Sequence, residues 1–374
     1  MKKILINIHS NQTIPNYIAI KEIAPDKVIA FATPEYAYQV EVFEELTNLE
    51  HELVEIDAYN MEFNFGKIQS FLNKIGNQEE VIVNYTGGTK IMSVSVVLKV
   101  LLAANQKLSF VYVNTFGKKL EYLTLSENKI LATSFMSIQT IVLLETYISL
   151  KKEKIKSVVD KVPNRFTERI ELTENLLLNP DLSGLFNKQK SFFEKRGKEN
   201  ILKKSHQLSN SKFEILWNLK KISFQTKDHN FTFEHNDGGQ YFSGGWLEEY
   251  VFYKLAKTNN YDEVKANVKF DFTSFDIFDK PNSDKIFKNE IDVVLSKGLK
   301  TIFIECKAGF VSQDYVYKLQ AIRDHFLGTF GVAFLVTKFQ QKANIIEKCE
   351  DANITLISGD DISNIDRIIN KLIK

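Results

Sequence analysis

Two short apolar segments carry charge where a buried strand ordinarily carries none. Glu290-Ile-Asp292-Val-Val-Leu is followed, after Ser296-Lys-Gly-Leu-Lys300, by Thr301-Ile-Phe-Ile-Glu305-Cys-Lys307. Side chains alternate faces along a strand, so Glu305 and Lys307 share one face and Cys306 takes the other. The short connection contains Gly298, which predicts a hairpin and brings Asp292 beside Glu305. Two carboxylates and a lysine on one face of a mostly buried hairpin are costly unless they bind something. Paired carboxylates suit a hard divalent cation such as Mg²⁺ or Mn²⁺, which can activate water for attack on a phosphodiester. The competing reading is a solvated edge hairpin with surface ion pairs. Val293, Val294, Ile302, Phe303 and Ile304 argue against solvent on both faces.

Asp292 followed by Glu305-x-Lys307 on the next strand resembles the PD-(D/E)xK nuclease signature, with Ile291 where the family often has proline. The resemblance implies a further carboxylate on a helix preceding the aspartate strand. Glu248 and Glu249 both qualify. At about 100° per residue, Leu247, Val251, Phe252 and Leu255 form one apolar arc that includes Glu248 and leaves Glu249 on the far side. A carboxylate among apolar residues needs a partner, so Glu248 is assigned to the site and Glu249 is expected to be exposed. The stretch Gly245-Trp-Leu-Glu-Glu-Tyr-Val251 also resembles a G-x-W-L-E-x-Y-V pattern of CRISPR-associated nucleases and points to the same glutamate. The expected ligands of a divalent metal are thus Asp292, Glu305, Glu248 and the backbone carbonyl of Cys306. Lys307 would orient the attacking water or stabilise charge on the phosphorane. Gln320 is a weaker candidate for a supporting role.

A second constellation lies near the other end. Asn84-Tyr-Thr-Gly-Gly-Thr-Lys90 sits between an expected strand and a helix, and the first strand ends in His9-Ser-Asn-Gln-Thr13. Glycines let backbone amides approach a ligand, and a helix N-terminus favours anions. No Walker A loop and no G-x-G-x-x-G can be written through either segment, so neither a P-loop ATPase nor a dehydrogenase is indicated. Both loops follow strands, at the carboxyl ends where open α/β sheets bind ligands. The plainer reading is helix capping, by Asn11 or Thr13 before Pro15 and by Thr89 after the glycines.

The two loops resemble those of the CRISPR-associated Rossmann fold, or CARF, domain, which senses cyclic oligoadenylates. Carried onto this chain, the ligand contacts implied are Ser10, Asn11, Gln12, Thr13, Thr86, Gly87, Gly88, Thr89 and Lys90. A CARF domain followed by a PD-(D/E)xK domain resembles the CARF-fused ancillary nucleases of type III CRISPR systems. That resemblance implies a homodimer sharing one cyclic oligoadenylate, cyclic tetra-adenylate above all. It also implies metal-dependent cleavage of DNA (single-stranded or by nicking) and of single-stranded RNA. The alternative is a nucleotide-sensing regulator whose nuclease-like domain binds nucleic acid without cutting it. A HEPN-type ribonuclease needs Arg and His about five residues apart, and no R-x4–6-H occurs.

The rest of the chain must position these groups. Its 374 residues suffice for two or more domains. A net charge of +1 gives no global signal for nucleic acid, so any such contact must be local. Two cysteines exclude a disulfide framework and a cysteine-rich zinc site. The short apolar start lacks the length of a signal peptide, and no run reaches transmembrane length, so a cytoplasmic setting without membrane contact is expected. Alternating strands and helices over the first ~130 residues predict a parallel, doubly wound sheet. The chain is divided into an α/β Rossmann-like CARF domain over 1–135, a mainly helical connector over 136–221 with a long helix over 137–158, and a restriction-endonuclease-like domain over 222–374. The lysine-rich stretch 188–204 reads as a solvated face or, less directly, a nucleic-acid track, and Phe186, Phe192 and Phe193 as core. His9 is the one histidine in a candidate ligand loop.

Overall fold

The computed structural model describes residues 2–75, 79–103, 108–126, 129–178, 206–209, 213–217, 221–226, 230–271, 290–328 and 331–373. The stretch 188–204 and Phe186, Phe192 and Phe193 lie outside the described residues. The chain divides into two compact units, Met1–Lys154 and Ile155–Lys374.

The first unit is built on a seven-stranded sheet. Its strands are β1 (Lys2–Ile8), β2 (Lys27–Ala32), β3 (His51–Glu55), β4 (Glu79–Asn84), β5 (Leu108–Asn114), β6 (Lys119–Ser126) and β7 (Lys129–Ser137), in the order β3-β2-β1-β4-β5-β6-β7. The first five are parallel, joined by helices α1 (Ile14–Ile23), α2 (Gln39–Thr47), α3 (Met61–Leu72) and α4 (Lys90–Ala103). Strands β6 and β7 complete the edge as an antiparallel pair. Parallel strands covered on both faces read as continuous apolar runs, and β1 and β2 are buried along almost their whole length. Ile4, Ile6, Ile8, Ile29, Phe31, Val81, Val83 and Phe110 form the core. The strand order reverses between β1 and β4, so the loops following these two strands flank the switch point where such sheets bind ligands.

The long helix expected over 137–158 is not formed. Strand β7 runs to Ser137, a short helix α5 covers Leu144–Ser149, Lys152 takes a left-handed backbone with φ 58°, and Lys154–Val159 is strand β8. A residue at positive φ ends a helix, and the Ile-Lys-Ser-Val-Val run that follows favours extended backbone. Strand β8 is the edge of a six-stranded sheet in the second unit, with order β17-β16-β15-β14-β13-β8. The remaining strands of that sheet are β13 (Glu263–Asp271), β14 (Glu290–Lys297), β15 (Lys300–Lys307), β16 (Val332–Thr337) and β17 (Ile354–Ser358). Strands β13, β14 and β15 form an antiparallel meander, and β15, β16 and β17 are parallel. The helices of this unit are α6 (Asn164–Leu178), α7 (His235–Gln240), α8 (Trp246–Ala256), α9 (Gln313–Leu327), α10 (Ala343–Asp351) and α11 (Ile365–Leu372). A separate antiparallel sheet, in the order β12-β11-β10-β9, comprises β9 (His206–Ser209), β10 (Phe213–Trp217), β11 (Lys221–Thr226) and β12 (Asn230–Glu234). The span expected to be a mainly helical connector therefore carries strands β7 to β10 beside α5 and α6. Trp246, Leu247, Val251, Phe252 and Leu255 of α8 pack with Val293, Leu295, Ile302 and Ile304 in one core. No helix among the described residues is long and apolar enough to cross a membrane.

Candidate active site and ligand loops

The hairpin of β14 and β15 forms in the predicted register, Val293 opposite Ile304, which sets Asp292 beside Glu305. Both carboxylates are buried, at 7% and 6% exposure. Lys307 Nζ lies 2.7 Å from Glu305 Oε1 and 3.5 Å from Asp292 Oδ2, and donates to the Cys306 carbonyl at 3.1 Å. The Cys306 amide donates to Asp292 Oδ2 at 2.7 Å. Burial pushes the Asp292 pKa well above the ordinary aspartate range, reinforced by Glu305 and Glu248, while Lys307 and the Cys306 amide oppose the shift. For Lys307 burial works against the charge, but Glu305 and Asp292 outweigh it and raise the pKa, so the ammonium stays protonated. The Cys306 side chain is buried on the opposite face, as strand alternation requires, and burial raises its thiol pKa.

Glu248, Glu249, Asp292, Glu305 and Lys307 line one cleft of about 510 Å³. Arg165, Lys269, Tyr315 and Lys318 contribute donors and positive charge to the same cleft, and Gln320 does not line it. Glu248 shares the cleft with the hairpin carboxylates, and its charge acts on Asp292. The expectation for Glu249 is corrected: its side chain is only 14% exposed and is paired with Arg169 at 3.2 Å. Helix α6 packs on the outer side of α8, so a helix with one apolar arc is in fact covered from two directions. Arg169 also pairs with Asp237 and lies over the Phe233 ring, 4.5 Å from its centroid. Burial raises the Glu249 pKa to about 7, against the pull of Arg169. Sequence reasoning missed Arg169. The available signal was an arginine on the buried stripe of α6, at i, i+3 and i+7 spacing with Phe166 and Thr173.

The donors around Lys307 fit a hard cation. Asp292 Oδ2, Glu305 Oε1 and the Cys306 carbonyl oxygen converge on one point, and that point is held by the lysine's own ammonium. Among the described residues no group of three or more His, Cys, Asp and Glu side chains is placed to hold a metal as it stands. The arrangement is an oxygen cage closed by an internal counter-ion.

At the switch point of the first unit, the two predicted loops are tied to each other. Ser10 Oγ accepts from the Gly88 amide at 3.2 Å and from the Gln12 amide at 3.2 Å. Thr86 Oγ1 accepts from the Val113 amide. Thr89 Oγ1 accepts from the Met92 amide as a helix cap and donates to the Ala58 carbonyl. The cap reading holds for Thr89 and not for Thr13, which is buried at the start of α1 without a side-chain capping bond. A Cβ on Gly87 would stand 2.5 Å from the Ile8 carbonyl oxygen, and one on Gly88, at φ 83°, 2.4 Å from Ile8 Cγ2. The glycine pair therefore lets the turn close onto the end of β1. Asn11, Gln12 and Lys90 are the exposed members of the set.

Beneath the loops lies a buried amide network that sequence reasoning did not find. Asn84 donates to Asn7 Oδ1 at 2.9 Å and Asn16 Oδ1 at 3.0 Å, and Asn16 donates to the Ile8 carbonyl. Lys151, just past α5, reaches Asn11 Oδ1 at 2.9 Å, and burial lowers its pKa. His9 is fully buried against Phe43, and burial, seconded by His51, holds its pKa down to about 3. It is a neutral core residue, facing away from the loop surface.

Residues 4–147 match the family of the Card1 CARF domain, and residues 236–374 match that of the Card1-like endonuclease domain. The chain belongs to the Card1 family. Its fold is accordingly an N-terminal CARF domain followed by a C-terminal endonuclease domain, both α/β. None of the curated proteins searched matches this Card1-family chain. Among solved structures it is similar to Can2 from Sulfobacillus thermosulfidooxidans in complex with cyclic tetra-adenylate. That likeness has a TM-score of 0.72 at 18% identity and covers 100% of this chain and 99% of that one. Protein VC1899 from Vibrio cholerae is similar at TM-score 0.74 and 16% identity, over 99% and 97% of the two chains. A type III CRISPR defence DNA nuclease activated by cyclic oligoadenylate aligns at TM-score 0.52 and 13% identity, over 92% of this chain and 46% of that one. At these identities the likenesses establish the fold.

Proposed function

We propose that the protein is a cyclic-oligoadenylate-activated, metal-dependent endonuclease of type III CRISPR defence. The observation that carries the reading is the convergence of Asp292 Oδ2, Glu305 Oε1 and the Cys306 carbonyl on one cationic position, in a cleft shared with Glu248. Asp292, Glu305 and the Cys306 carbonyl would hold Mg²⁺ or Mn²⁺, with Glu248 holding the ion or a water bound to it. When bound, such a cation lowers the pKa of water and screens charge on the phosphate. Lys307, protonated and freed from the cage, orients the attacking water or faces the charge developing on the phosphorane. Arg165, Lys269 and Lys318 suit a phosphate backbone entering the cleft.

The loops after β1 and β4 supply the input. Asn11, Gln12 and Lys90, backed by Ser10, Thr13, Thr86 and Thr89 and by the close-packed Gly87 and Gly88, would receive the cyclic ligand. A homodimer sharing one ligand across its two-fold axis is the expected assembly. The likeness to Can2, whose structure holds cyclic tetra-adenylate, favours that ring size. DNA and single-stranded RNA are the proposed substrates.

The test incubates the protein with Mn²⁺ or Mg²⁺ and labelled single-stranded DNA or RNA. It is run with cyclic tetra-adenylate, with cyclic hexa-adenylate and without either, beside Glu305→Ala. Cleavage is expected only with metal and the tetra-adenylate. Cleavage by the variant would overturn the site assignment, and cleavage without ligand would overturn the gating.

A further inference from the structure

The parallel strands β15 and β16 end side by side, with Lys307 opposite Thr337. The Lys338 amide then donates to the Lys307 carbonyl at 3.2 Å, so the pairing continues one residue past the catalytic lysine. Each strand runs into a turn that carries one phenylalanine. Phe310 follows Lys307 by three residues, at most about 11 Å away along the chain. Phe339 follows Thr337 in the other turn, and the two rings stack at 5.7 Å with 23° between their planes. Phe310 is 71% exposed.

Isolated exposed apolar side chains are ordinary on protein surfaces. This pair differs in how firmly it is held. Gln341 is buried, and it clamps both turns at once. Its Oε1 accepts from the Val311 amide at 3.0 Å, and its Nε2 donates to the Phe339 carbonyl at 2.8 Å and to the Gly309 carbonyl at 3.4 Å. Thr337 Oγ1 donates to the same Phe339 carbonyl at 3.0 Å. The result is a flat aromatic face, presented to solvent on a pinned base, at the carboxyl ends of two strands. Tyr315, five residues beyond Phe310, lines the catalytic cleft and has Lys307 Nζ 5.4 Å from its ring centroid.

We propose that the Phe310–Phe339 pair is a stacking platform for an unpaired base flanking the scissile phosphate of a single-stranded polynucleotide. The inference rests on the endonuclease reading. Every base has a π-face, so a platform of this kind binds a single strand with little regard to sequence. A base inside a duplex has both faces already stacked and cannot use it. The exposed Lys342, beside Phe310 in a shallow hollow, is placed for the adjoining phosphate. The platform therefore selects for single-stranded over double-stranded substrate.

The test uses the full chain with cyclic tetra-adenylate in a Glu305→Gln background. Binding is measured by anisotropy of a labelled single-stranded oligonucleotide and of the same sequence as a duplex. Phe310→Ala and Phe310→Leu should each weaken single-strand binding by about 5- to 150-fold. Phe310→Trp should stay near the parent, and duplex binding should be unchanged in all three. A 2-aminopurine base in the strand should be quenched by the parent and by the tryptophan variant, and not by the leucine variant. Single-strand binding by Phe310→Ala equal to the parent's overturns the platform, as does a leucine variant that binds like tryptophan. Loss of binding together with a changed molar mass in light scattering also overturns it, because the pair would then be a contact between copies. Separately, a wild-type protein that cleaves no strand refutes the nuclease reading. Normal cleavage with unchanged Phe310→Ala binding refutes only the platform.

Discussion

Lys307→Met removes the ammonium and keeps the stem, and its consequence for the apo protein can be worked from the cage. The ammonium touches Glu305 at 2.7 Å and Asp292 at 3.5 Å, both carboxylates are buried, and Glu248 adds charge of the same sign. Removing one partner of a buried ion pair costs about 3–5 kcal/mol, because the remaining charge is left uncompensated. The catalytic unit spans Ile155–Lys374. For a unit of this size each kcal/mol moves the melting temperature by about 2–4 °C, so the variant should melt about 6–20 °C lower in EDTA near neutral pH. Acidification should narrow the deficit. Burial and the neighbouring carboxylates raise the Asp292 pKa above the ordinary 3.8, so the fold binds more protons than the unfolded chain between the two values. Stability then falls as pH rises through that window and returns as pH drops. A divalent cation should act in the same direction. At about 100 times its Kd, Mn²⁺ adds about 2.7 kcal/mol, and in the variant it meets no resident ammonium. The Mn²⁺-induced rise in melting temperature should therefore be larger for Lys307→Met than for wild type. Equal melting temperatures in EDTA, or equal Mn²⁺ shifts, would refute the cage and its counter-ion.

Gly88→Ala should destabilise the CARF unit by about 2–4 kcal/mol, because the new methyl meets Ile8 at 2.4 Å on a backbone at φ 83°. Chemical denaturation reads this directly, and a wild-type midpoint would show that the turn has room. Arg169→Met should lower the melting temperature of the catalytic unit, more so above pH 7 than below. Burial has raised the Glu249 pKa to about 7, and the carboxylate loses its counter-charge as it ionises. A pH-independent deficit would assign the loss to packing alone. Lys151→Met should weaken cyclic tetra-adenylate binding by about tenfold, the value of one charge-assisted contact. Unchanged affinity in a calorimetric titration would leave Lys151 as a prop for Asn11.

The hairpin site was legible because its chemistry contradicts its burial. Charged residues on two apolar strands, spaced for one face, admit few structures. The doubly wound sheet was legible for a related reason, since buried parallel strands write their periodicity into long Val and Ile runs. Glu249 shows where such reasoning stops. A helical wheel reports which face is apolar, and it cannot report that α6 covers the other face and brings Arg169 with it. Asn16 lies in the first turn of the almost wholly buried α1, beside Pro15, and its bond to Asn84 joins residues far apart in sequence. Strand β8 was lost because a short apolar run after a helix has no period long enough to distinguish extended from helical backbone.

That strand has a practical consequence. The endonuclease family match begins at residue 236, whereas the catalytic sheet takes its outermost strand from Lys154–Val159 and the Glu249 counter-charge from Arg169. A fragment cut at the family boundary would bare the backbone edge of β13, a template on which other chains can pair. It would also strand a buried carboxylate. Such a fragment should aggregate, and the shortest soluble catalytic piece should begin before Lys154.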